Sequence, residues 1–117
     1  MKKLIALLIV ALATCSIFAQ DISGTWSGAF SAQGQTLNIN INLTATEDGY
    51  TSTLDSPDQG AFGIPVDTTT YVKPDLKIVI NQLYFVYTGK LTEENKMEGS
   101  FTQMGQTFDL NFTKKAE

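Results

Sequence analysis

From Ile22 onward apolar and polar residues alternate with a period of two. The pattern is clearest where Leu37, Ile39, Ile41 and Leu43 interleave with Asn38, Asn40, Asn42 and Thr44. Successive side chains of a β-strand point to opposite faces, so this pattern describes strands with one buried and one wet face. It returns in Leu76, Ile78 and Ile80, and again where Phe108, Leu110 and Phe112 alternate with Asp109, Asn111 and Thr113. Turn-forming clusters at Gln33-Gly34, Glu47-Asp48-Gly49, Ser56 to Gly60, Lys73-Pro74-Asp75, Glu93 to Lys96 and Met104-Gly105 divide this stretch into about eight short strands. Short strands in sequence order predict an all-β fold, a single antiparallel meander. Because bare strand edges invite aggregation, the meander is expected to close as a barrel or flattened barrel. A two-layer sandwich has the same period and stays open at this point.

The two ends of this region echo each other. Gly28-Ala29-Phe30, then Gly34-Gln35-Thr36 and Asn40, align with Gly99-Ser100-Phe101, then Gly105-Gln106-Thr107 and Asn111. Both segments read as glycine-centred hairpins, with Phe facing the core and glycine supplying the positive φ of the turn.

Ahead of the strands, Lys2 and Lys3 precede an apolar run from Leu4 to Ala13 and the small-residue stretch ending at Ala19. That is the order of a helical export signal, too short for a membrane span, and it places a signal peptide at 1–19 and a single domain at 20–117. Leu12-Ala13-Thr14-Cys15 offers a competing route as a lipoprotein signal anchored through Cys15, although Thr14 fits poorly before the cysteine. The expected location is periplasmic or extracellular in a Gram-negative bacterium, with membrane contact only through a lipid on Cys15. Past Ala19 there is no cysteine, so neither a disulfide framework nor a thiolate is available. Six lysines then face twelve carboxylates, a net charge of about −6, and the chain has no arginine and no histidine. A basic nucleic-acid footprint is missing, as are the imidazoles of a Ser-His-Asp triad and of common zinc sites. The reading is therefore of a protein that is not an enzyme, takes no cofactor or metal, binds no nucleic acid and is a monomer.

Candidate binding residues fall in three places. Gly24-Thr25-Trp26 opens the first strand and resembles the start of lipocalin-type barrels, whose tryptophan closes one end; Trp26 is either such a plug near an apolar ligand or a plain core residue. Asp58 and Gln59 lie in the turn-rich run Asp55 to Pro65, which reads as a rigid connection before it reads as a calcium cradle. Leu83-Tyr84-Phe85-Val86-Tyr87 is apolar on both alternating faces, so Tyr84, Phe85 and Tyr87 either form a binding surface or lie under a loop. Asp55, Asp58, Glu98 and Asp109 are the carboxylates open to a glycosidase pairing, but nothing in the sequence places them together.

Ile22-Ser23-Gly24-Thr25-Trp26-Ser27-Gly28, the loop Ser56 to Gly60 with Gly63-Ile64-Pro65, and Gly99 to Gln103 with Gly105-Gln106 together resemble a known module. It is similar to the all-β N-terminal domain preceding the catalytic domain in secreted bacterial α/β-hydrolase esterases and peptidase-like proteins. The sequence to Glu117 contains no Gly-x-Ser-x-Gly nucleophile turn, so the resemblance implies only the accessory module, standing alone. The function expected is an exported, non-catalytic module for binding or protein interaction. The alternatives are an accessory subunit of a separately encoded hydrolase and a lipocalin-like carrier of a small apolar ligand; a glycan is a further possible partner.

Overall fold

The computed structural model describes residues 21–115; the predicted signal peptide, its cleavage point after Ala19, and Cys15 lie outside the described residues. Ten strands follow in order: β1 (Gly24–Ala32), β2 (Gln35–Thr46), β3 (Gly49–Ser56), β4 (Ala61–Pro65), β5 (Thr68–Val72), β6 (Asp75–Ile80), β7 (Phe85–Glu93), β8 (Lys96–Gln103), β9 (Gln106–Asp109) and β10 (Asn111–Lys114). A 3₁₀ turn at Pro57–Gln59 joins β3 to β4, and another at Asn81–Leu83 joins β6 to β7. The order across the sheet is β4-β3-β2-β1-β10-β8-β7-β6-β5, with β9 paired to β8 off this path.

Neighbours in space are thus neighbours in the chain, except where β1 meets β10 and where β10 meets β8. The antiparallel sheet curls into a half-barrel until its outermost strands, β4 and β5, run into one another through Val66-Asp67. At that corner the backbone changes partners: the Val66 N–H donates to Ser52 O on β3 at 3.3 Å, and the Asp67 N–H to Val79 O on β6 at 2.9 Å. Beyond it, Ser52 Oγ and Thr69 Oγ1 sit 2.7 Å apart, and the Tyr50 and Tyr71 rings meet edge to face at 5.9 Å, bridging β3 to β5. β9 and β10 form a second bent strand, broken at Leu110, whose N–H donates to Gly99 O at 2.9 Å. Strands that switch partners at a bend are how a flattened barrel turns its corners. Counting each bent pair as one strand gives the eight that the turn signals predict.

The inner face carries the core: Trp26, Ile39, Ile41, Leu43, Leu54, Leu76, Ile78, Ile80, Phe85, Tyr87, Met97, Phe101, Leu110 and Phe112 are all buried. Burial of that apolar surface is the main stabilising term for a domain without disulfides. One end of the half-barrel is closed. There Ile22 folds across, Trp26 Nε1 donates to Ile22 O at 2.9 Å, and the Ile22 N–H donates to Tyr50 Oη at 3.2 Å.

Asp21, just before this plug, accepts the Ser23 N–H at 2.9 Å through Oδ1. That bond holds its carboxyl below the ordinary value, opposed by slight burial and helped by the Ser23 and Tyr50 hydroxyls and by Lys114. A depressed folded-state pKa contributes stability that is present above the unfolded value of about 3.8 and lost as pH falls through the folded one. Asp21→Asn is therefore expected to be less stable than the native chain at pH 7, with the gap closing toward pH 2; urea melts across that range test it, and a constant gap would refute the linkage.

The opposite end is open. The hairpins β1–β2 and β8–β9 turn there through Gln33-Gly34 and Met104-Gly105, with φ of 53° and 80°, and 51° and 84°. Two consecutive positive φ angles are the signature of the type I′ turn, whose twist matches the flanking strands. The echoed Gly28 and Gly99 are different. They lie on the inner face of strands, and a Cβ at either would strike the backbone carbonyl of Asn111 or Thr88, respectively.

One reading of the sequence is corrected here: Leu83 to Tyr87 is not a single strand. Asn81–Leu83 form the 3₁₀ turn, Tyr84 is left-handed at φ 53°, and its N–H donates to Asn81 O at 3.1 Å, so β7 begins only at Phe85. The two-faced apolar run therefore belongs to a turn followed by a strand.

Candidate functional site

The inner glycines shape what lies above the closed core. Gly89 and Gly99 are cross-strand partners, and the Tyr87 ring lies over both, its Oη 2.5 Å from where a Gly89 Cβ would stand. Tyr87 Oη donates to Leu110 O at 3.0 Å, and the ring meets Phe112 edge to face at 5.2 Å. Burial pushes the Tyr87 phenol far above its ordinary pKa, so it stays protonated as a donor. This layer separates the core at the closed end from the space above it.

Above it the half-barrel opens into a cavity of about 570 Å³. Its floor is a cluster of four phenylalanines from four strands. Phe101 on β8 stacks on Phe85 at 4.9 Å and on Phe108 at 5.2 Å, and meets Phe30 edge to face at 4.8 Å. Offset-stacked and edge-to-face pairs of this kind add about 0.5–1.5 kcal/mol each beyond area burial. Leu37, Ile39, Leu54 and Ile64 complete the apolar wall.

The rim is built from turns and strand ends, and it is amide-rich: Gln33, Gln35, Gln59, Gln103 and Gln106 all line it. Two of these are held in place. Ser56 Oγ donates to Gln59 Oε1 at 2.6 Å, and Gln103 Nε2 donates to Leu83 O at 2.9 Å. The first fixes the β3–β4 turn against the mouth, and the second pins the β6–β7 turn to β8. Among the described residues no charged side chain lines the cavity. A volume in the range of small-molecule sites, an apolar floor and a few placed polar groups are the usual anatomy of a ligand pocket.

The residues singled out from sequence are dispersed by this geometry. Gln59 and Phe85 line the cavity. Tyr84 stands exposed on the turn leading into β7, next to the lining residue Leu83. Tyr87 is fully buried beneath the cavity and presents no surface, and Trp26 is buried at the closed end, so both are core residues in this structure. Asp58 is an exposed brace, its Oδ2 accepting the Asn38 N–H at 2.7 Å and Asn38 Nδ2 at 3.2 Å.

Asp55 likewise turns inward on its own chain, accepting the Gly63 N–H at 2.8 Å and Asn42 Nδ2 at 3.1 Å. These two carboxylates are thus spent on stapling the turn to β2 and β4; of the run Asp55 to Pro65 read from sequence as a connection, only Pro57–Gln59 is a 3₁₀ turn, and Ala61–Pro65 is strand β4. Among the described residues no group of three or more His, Cys, Asp or Glu could hold a metal ion. Sequence reasoning missed Phe30, Phe101, Phe108 and the four further glutamines as a site. Their only signal was the echo of the two hairpins, which places Phe30 beside Phe101 and Gln35 opposite its counterpart Gln106 on one mouth.

Compared with known proteins, the chain matches no family model, no curated protein and no solved structure.

Proposed function

We propose that this chain is an exported, non-catalytic binding module that takes a small ligand with an apolar body into the mouth of the half-barrel. This joins the binding module expected from the sequence to the carrier of a small apolar ligand, which stood there as an alternative. The observation that carries it is the uncharged cavity of about 570 Å³ on a four-phenylalanine floor. A fold of this size gains stability by filling such space with side chains, and here the space is left open.

The test uses the neutral fluorescent probe phenylnaphthylamine, whose emission rises in apolar surroundings. The expected result is saturable binding of one probe per chain. Leu37→Trp should weaken it at least about tenfold by filling the cavity from a half-buried wall position, with the melting temperature little changed. Binding that survives Leu37→Trp unaltered would place the probe elsewhere and overturn the proposal.

A second reading is favoured by one observation. Tyr84 and Met104, 68% and 76% exposed, stand on the turns around the same mouth. In that reading a separately encoded catalytic chain of the hydrolase type covers the rim, as the resemblance to hydrolase accessory domains implies. Native mass spectrometry of the protein from its own host distinguishes the two: a copurifying catalytic chain supports the second reading, and a small-molecule adduct supports the first.

A further inference from the structure

We infer that the ligand of the mouth cavity is an uncharged amphiphile, with a hydrocarbon body on the phenylalanine floor and a neutral head that both donates and accepts hydrogen bonds at the rim. This rests on the proposal that the cavity binds a small ligand, and it goes further by naming the chemistry of the head.

The first part of the argument is the absence of charge from the lining. The lysines of the described residues sit at positions 73, 77, 90, 96, 114 and 115, and none lines the cavity. A carboxylate or phosphate drawn into the mouth would lose solvation without meeting a cation. An ammonium would fare no better, because Asp55 and Asp58, the carboxylates of the nearby turn, already accept backbone N–H groups and do not line the cavity. Desolvating an unpaired ion is far costlier than desolvating a hydroxyl or an amide that finds partners.

The second part is the orientation of the two pinned glutamines. Gln59 gives its Oε1 to Ser56 Oγ and keeps its amide N–H groups for a ligand. Gln103 spends one N–H of Nε2 on Leu83 O and keeps its Oε1 as an acceptor. The rim therefore offers a pinned donor from the β3–β4 turn and a pinned acceptor from β8 to the same mouth. A hydroxyl or amide head satisfies both. A carboxylate has only acceptors and leaves Gln103 Oε1 without a partner. Placed polar groups that leave the wrong head unpaired discriminate more strongly than apolar walls do.

The experiment is displacement of phenylnaphthylamine by two probes of matched chain length, monodecanoylglycerol and decanoate, each below its aggregation threshold. The expected result is displacement by the ester with decanoate at least about tenfold weaker. Gln106→Lys, which puts a cation on an exposed part of the rim, should then raise decanoate affinity and bring the ester-to-decanoate ratio close to one. Equal displacement by the two probes in the native protein overturns the inference while leaving the binding proposal standing. Probe binding that neither compound displaces also overturns it. Absence of phenylnaphthylamine binding altogether defeats the parent proposal, so the two failures are told apart.

Discussion

Replacing Gly99 with valine is expected to abolish cooperative unfolding, and replacing it with alanine to destabilise the domain by about 3 kcal/mol. The reason is steric and local. A Cβ on Gly99 would strike the Thr88 carbonyl of the neighbouring strand, stand 2.6 Å from Gly89 Cα and 2.8 Å from Tyr87 Oη. Two of those three atoms are backbone on β7, the strand paired with β8 over most of its length, so relief requires moving the strand rather than a rotamer. The third belongs to a ring fixed by its bond to Leu110 O and its contact with Phe112. Overpacking a filled core costs about 1–3 kcal/mol per added group, and valine adds two methyls to the clash that alanine already makes. Ser100→Val, one residue along and on the outward face, is the control and should stay within about 0.5 kcal/mol of the native chain. Thermal melts followed by circular dichroism read all three, and a Gly99→Val protein that melts like the native one would remove the glycine layer from this account.

That layer also shows what the sequence made legible and what it did not. The period-two pattern locates Ile39, Ile41 and Leu43 correctly as buried, and the turn clusters mark six of the seven joints between the eight strands, because both are local consequences of pleat and turn chemistry. The echo around Gly28 and Gly99 was legible as a pattern but not as a cause. Gly34 and Gly105 are turn glycines, whereas Gly28 and Gly99 are needed because the backbone of a paired strand passes close to them, β10 at Gly28 and β7 at Gly99, which the turn rule does not reveal. The corner at Val66-Asp67 carries no glycine, so a strand that changes partners looks from sequence like an uninterrupted loop and strand. The turn at Asn81 to Tyr84 was hidden for the opposite reason: Leu83 and Tyr84 supply the apolar periodicity of a strand while the backbone adopts a left-handed residue that usually calls for glycine or asparagine.

The site was the least legible element because its residues are individually ordinary. Glutamines in or beside turns read as solvated loop residues, and phenylalanines on alternating positions read as core. Only the closure of β1 against β10 brings Gln33 and Gln35 to the same mouth as Gln103 and Gln106, and Phe30 to Phe101. The two hairpins then present equivalent positions, Phe30 with Phe101 and Leu37 with Phe108, to one cavity. The proposed binding site is a product of topology and not of any motif.

Trp26→Ala is expected to destabilise the domain by about 3–5 kcal/mol while leaving the affinity of the folded fraction for phenylnaphthylamine unchanged. Trp26 is only 1% exposed, faces Ile41 across the β1–β2 pair and donates through Nε1 to Ile22 O at 2.9 Å. Truncation therefore removes a large buried ring, leaves a cavity at the closed end and strips the Ile22 carbonyl of its partner. Against a total stability of about 5–15 kcal/mol for a domain of this size, that is a large fraction. Trp26→Phe keeps most of the volume and loses the bond, so it should cost about 1–3 kcal/mol, separating packing from hydrogen bonding. The functional half of the prediction follows from the register. Trp26 and Phe30 share the inner face of β1, four residues and about 13 Å apart along the strand, and the Tyr87 and Phe112 rings fill the layer between them. Urea titration gives the stability change, and probe titration well below the unfolding midpoint gives the affinity. A loss of affinity in either variant beyond its unfolded fraction would mean that the ligand reaches the closed end, and that the cavity and the tryptophan plug form one site.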